Sequence, residues 1–169
     1  MIPDIQLQIK SVIKSLKDNV LPSVDADNEL AQQQIQLSMA TLEMALNNLP
    51  VIHGTLRKDL QQHMLMAKEL MAVVSKSENQ TRLRELIAST ECCLQDPALG
   101  FTELQSTARR LRDGIGTVIA DSDSDAAKVE RVVLAHCEAS LKLGRALNKA
   151  TGFEPAPEQV PNVQSLLDA

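Results

Sequence analysis

A helix with two apolar sides cannot stand alone in water, and residues 30–49 describe one. One stripe runs Ile35, Met39, Leu42, Leu46 and Leu49, at steps that stack side chains on successive helical turns. A second holds Leu30, Leu37 and Met44, with Ala40 between the last two. At about 100° per residue, Leu37 lies about 200° round the axis from Ile35. Both sides are expected to be covered. Either this helix is the central element of a bundle, or it shares a surface with a second copy of the chain, and Leu30, Leu37 and Met44 are then the candidate interface.

The rest of the chain is patterned the same way. Two Phe and no Trp or Tyr leave Leu, Ile, Val, Met and Ala to fill any core, which suits helix-on-helix packing. Alternating apolar and polar runs are hard to find, so the expected class is all-α. At 169 residues, 44% hydrophobic and 23% charged, the chain is long and apolar enough for one packed domain.

Pro3 and Asp4 suit a first helical turn, and Ile5, Ile9, Val12, Ile13, Leu16 and Val20 mark a face that Leu21-Pro22 ends. Ser23, Asp25 and Asp27 offer caps for the second helix, which Pro50 stops. An apolar corner, Val51-Ile52-His53-Gly54, precedes a third helix carrying Leu56, Leu60, Met64, Ala67, Met71 and Val74. Ser75-x-x-Glu78 and Ser77-x-x-Gln80 match the capping box that opens a fourth, and Thr102-x-x-Gln105 the one that opens a fifth. The acidic run at 121–125 leads into a sixth, with Val129, Val132, Val133, His136, Ala139, Leu143 and Leu147 on one side and Thr151-Gly152 closing it. The expected architecture is an up-and-down bundle of five or six helices over residues 1–152, with an extended, Pro-containing tail at 153–169 whose last residues dock as a short turn. Ser140 and Gly144, one turn apart, are expected to let a neighbouring helix approach closely.

Several chemistries lack their residues. A net charge of −5 and the absence of aromatic platforms argue against a nucleic-acid partner. No apolar run reaches the length of a membrane span, and residues 1–6 lack a basic leader or apolar signal core, so a cytoplasmic protein without a membrane partner is expected. Cys92, Cys93 and Cys137 have no framework spacing and are expected to be reduced, mostly buried thiols, with a redox or metal role as the alternative.

A di-metal carboxylate bundle needs Glu-x-x-His pairs, but the residues three before His53, His63 and His136 are Pro50, Leu60 and Val133. His-Glu-x-x-His is absent as well, so no metal or other cofactor is expected. Gly114-Ile-Gly116 is not a nucleotide loop, because it follows a helix and lacks both the third Gly and a P-loop Lys. His136 lies in an apolar stripe and is expected as a core histidine with a polar partner; Ser140, one turn on, has no orienting acid on its own helix. Asp59 and His63, also one turn apart, read as a surface pair.

The expected function is therefore a non-catalytic module that binds a protein partner, chiefly a second copy of itself. The alternative is a bundle holding a small apolar or acyl ligand between helices. Its candidate residues are His136, the adaptable Met64, and Arg109 and Arg112 from the basic cluster.

Over residues 2–45 the chain resembles a group of small, uncharacterised bacterial helical proteins. Ile9, Val12 and Leu16, then Val20-Leu21-Pro22, then the apolar pattern of the second helix carry the likeness. In genomes these proteins accompany acyl-CoA dehydrogenase-like and aminoglycoside-phosphotransferase-like proteins. The resemblance implies an accessory protein and transfers no functional residue.

Overall fold

The computed structural model describes residues 4–149 and 154–168; the expected roles of Pro3 and Thr151-Gly152 lie outside them. All regular structure among the described residues is helical. The long helices are α1 (Ile5–Ser15), α2 (Glu29–Asn48), α3 (Ile52–Val73), α4 (Ser77–Gln95), α5 (Phe101–Ala120) and α6 (Ala126–Asn148). A seventh, α7 (Val163–Leu167), is the short docked turn at the end of the tail. By its internal contacts the chain divides into two compact units: Met1–Ile52 with Gly144–Val163, and His53–Leu143 with Gln164–Ala169.

In the first unit, α1 opens on Asp4, whose Oδ1 accepts from the Leu7 amide at 3.0 Å. The helix does not run cleanly to Pro22: residues Leu16–Val20 widen into a π turn, followed by a 3-10 turn at Leu21–Ser23. Proline explains this, because its ring collides with the carbonyl four residues back and it has no N–H to donate. Asn28 caps α2, accepting from the Ala31 amide at 3.1 Å, rather than Ser23, Asp25 or Asp27. Asp25 instead closes the preceding turn through the Asp27 amide.

α2 packs against α1 and the π turn, yet neither α1 nor α2 buries a single residue. A pair of helices has one shared side, and here it is marked by half-buried Ile9, Ile13 and Leu16 and by Ile35, Met39, Leu42 and Leu46. Leu30 is 69% exposed and Leu37 44%, while Met44 is half-buried. Of the two alternatives for α2, a rod wrapped on both sides is not what these residues form: the first stripe is half-buried as far as Leu46, and Leu30 and Leu37 of the second are exposed.

The same unit gathers the end of α6 and part of the tail. Arg145 donates to both carboxylate oxygens of Glu154 (3.0 and 2.6 Å), and Lys149 donates to the Val160 carbonyl at 2.8 Å. Asn48 donates to the Leu147 carbonyl at 2.9 Å.

The connected core lies in the second unit, while the first buries Ala146 and Val160. Leu60, Ala67, Leu70 and Val74 of the α3 segment meet Leu83 and Ile87 of α4, Leu104, Ala108, Leu111, Ile115 and Val118 of α5, and Val129 of α6. α3 starts at Ile52, so the apolar corner at 51–54 is largely its first turn. Gly54 there lets Leu167 of α7 come close, 3.3 Å from where a Cβ would stand.

None of the three predicted capping boxes forms. Ser75 gives its amide and hydroxyl to Asp125 at 2.7 and 2.9 Å, and Lys76 and Gly100, which stand at the cap positions of α4 and α5, make no side-chain cap bond. Arg57 donates to the Leu94 and Asp96 carbonyls, satisfying oxygens that the end of α4 leaves open.

Candidate functional sites

Three side-chain groups stand out, all in the second unit. The first is on α3 and α5. His63 Nδ1 lies 2.8 Å from the Asp59 carbonyl and 3.3 Å from its carboxylate, and Arg112 Nη1 lies 3.4 Å from the other carboxylate oxygen. Burial alone would raise the Asp59 pKa, but the His63 hydrogen bond and the charges of His63 and Arg112 outweigh it and hold it low. The Asp59 hydrogen bond raises that of His63 against the opposing effect of burial. The expected surface pair is a half-buried triad, and its third member comes from another helix.

The second group joins α6 to α3. His136 Nε2 lies 3.2 Å from Glu69 Oε1, and its side chain is largely covered. This is a polar partner of the expected kind, from an acid that spacing along α6 could not reveal. Met64 packs against the core, and Arg109 is exposed on α5. His136, Met64, Arg109 and Arg112 thus sit in different surroundings.

The third is a groove of about 390 Å³ between α3, α6 and α7. Ala135, Ala139, Leu143 and Leu166 supply its apolar surface, and Lys58, Gln62, Glu138 and Lys142 its polar groups. None of the four residues expected to bind ligand lines it. Its one sequence signal was small: the alanines at 135 and 139, one turn apart on α6, leave space beside α3.

The thiols depart from expectation. All three are free, but Cys92 and Cys137 are exposed and Cys93 is half-buried, its sulfur 3.5 Å from the Thr107 hydroxyl. Cys137 lies between Leu134 and Leu141, 64% and 65% exposed, on the outer side of α6. Gly144 has open space where a Cβ would be, so the expected close helix approach is not made there.

Among the described residues no cluster of three or more His, Cys, Asp or Glu could hold a metal ion, and no helix is long and apolar enough to cross a membrane. Comparison with known proteins finds no matching family model, no matching curated protein and no matching solved structure.

Proposed function

We propose that this chain is a non-catalytic helical interaction module that pairs with a second copy of itself through the outer face of the α1–α2 hairpin. One observation carries the reading: two helices bury no residue and leave Ile5, Leu7, Val12, Leu30 and Leu37 exposed. Each Leu removed from water contributes about 1.5–3 kcal/mol, so a covered face gains more than a bare one. Two hairpins laid face to face form a four-helix bundle, in which each stripe finds a partner by symmetry.

The surface is at the lower end of what a pair of copies needs. A 20-residue helix is about 30 Å long, and two helices side by side span about 18–20 Å, a face of roughly 600 Å² before side-chain relief is counted. A standard interface takes about 800 Å² per partner. Charge agrees: Glu29 and Glu43 are the only charged residues of α2, few for a helix meant to stay in water. Within the second unit, connections of three to five residues between α3, α4, α5 and α6 support an up-and-down run of those helices. The accessory role that the resemblance of residues 2–45 implies is compatible with a non-catalytic module.

Sedimentation equilibrium of the intact chain and of Leu37→Glu tests the proposal. The wild type should fit a dimer, and the variant a monomer with unchanged helical circular dichroism. A wild-type monomer at the highest attainable concentration would refute it.

A further inference from the structure

We propose that the groove between α3, α6 and α7 binds a small monocarboxylic acid with an apolar tail and a hydrogen-bond donor beside its carboxylate. Three features of the groove define this ligand, and none depends on how the hairpin associates.

The first is shape. Small-molecule sites run from about 300 to 1,000 Å³, and 390 Å³ falls near the lower end. Ala135 and Ala139 are short enough to leave the space open, while Leu143 and Leu166 give a branched tail a surface to cover. Leu143 is already buried, so the tail meets a fixed wall.

The second is charge. Lys142 is committed to Glu138, with Nζ 2.6 Å from Oε1. Lys58 is half-buried and pairs with no acid among the described residues. Two ammonium groups and one carboxylate leave the lip with one surplus positive charge. A monoanion balances it, whereas a dianion would meet the Glu138 carboxylate with a charge to spare.

The third is an unpartnered acceptor just beneath the groove wall. Gln62 Oε1 is buried and has no hydrogen-bond partner, and a buried oxygen in that condition calls for a donor. Gln62 stands one helical turn from Lys58, on the same side of α3. A carboxylate held by Lys58 therefore places a neighbouring hydroxyl or amide N–H beside Gln62, and a turn of the Gln62 amide toward the groove brings its buried Oε1 to that donor. A plain fatty acid lacks that donor, and a neutral amide lacks the charge. The class that has all three parts is the branched 2-hydroxy acid or N-acyl amino acid.

A methyl-detected NMR titration of the intact chain with three probes tests this. N-acetyl-leucine has charge, donor and tail; 4-methylpentanoate lacks the donor; N-acetyl-leucinamide lacks the charge. N-acetyl-leucine should give saturable shifts at the Leu143 and Leu166 methyls, with an affinity about tenfold or more above either of the others, the factor one hydrogen bond or ion pair supplies. Lys58→Ala should abolish the preference over the amide, and Gln62→Leu the preference over 4-methylpentanoate, with the spectrum otherwise folded. Equal affinity for the three probes, shifts confined to other methyls, or no saturable shift would each overturn the assignment.

Discussion

Asp59 and His63 show what a four-residue spacing reveals and what it hides. Their contact was legible, since one helical turn brings the two side chains together. Arg112 was not, because the rotation of α5 about its axis decides which of Arg109, Arg110 and Arg112 points at α3. The triad makes stability pH-dependent in a defined window. The His63 pKa is raised from 6.5, so its contribution is full below that value and is lost as pH rises through the folded pKa. The Asp59 pKa is lowered from 3.8, so its contribution holds above that value and is lost as pH falls through the folded one. The pair therefore stabilises most between about 4 and 6.5. Asp59→Asn should bring the His63 NMR titration down toward an ordinary histidine and lower stability by about 1–2 kcal/mol near pH 5.5. A His63 titration that Asp59→Asn leaves in place would show that the carboxylate is not its partner. Lys58 and Gln62 were passed over for a related reason: their significance is a partner that is missing across a groove, and one chain's spacing does not show absences.

At the scale of elements, periodicity found every long helix, because the 3.6-residue repeat survives whatever packs on it. Helix starts were less legible. Asp25 and Ser75 have the right chemistry for capping, but Asp25 serves the preceding turn and Ser75 bonds with Asp125, 50 residues on. A cap depends on competition among nearby acceptors, and Asp125 won by reaching both donors of Ser75. Its Ser75 hydrogen bonds, the amide first, keep the Asp125 carboxyl below its ordinary range. Replacing Asp125 with Ala should lower the urea midpoint and speed hydrogen exchange at the Ser75 amide; an unchanged rate there would deny the link. The glycines of α5 give a second prediction. A Cβ at Gly114 would overlap Leu86 Cδ1, while at Gly116 it would meet open space. Gly116→Ala should stabilise by about 0.5–1 kcal/mol through helix propensity alone. Gly114→Ala should fall short of it by about 1 kcal/mol or more, since Leu86 must give way. Equal midpoints in chemical denaturation would mean that α4 and α5 are not in close contact at Gly114.

On the scale of the whole molecule, the described residues hold a connected core in the second unit and, in the first, a hairpin that buries none of its own residues. The core explains how α3, α4, α5 and α6 hold together. The hairpin explains nothing by itself, because two helices with no buried residue contribute little stability in water. The two-sided pattern of α2 was legible from Leu30 and Leu37, but not which alternative it meant: a central rod and a shared surface write the same sequence. The burial of each stripe bears on the choice, and it leaves Leu30 and Leu37 exposed and Met44 half-buried. Hydrogen exchange along α2, followed over a range of protein concentrations, tests that claim most directly. Pairing of copies predicts that protection at 30–48 rises with concentration while protection in α4 stays constant, and that Leu37→Glu removes the rise. Protection of α2 that is the same at every concentration would contradict the account.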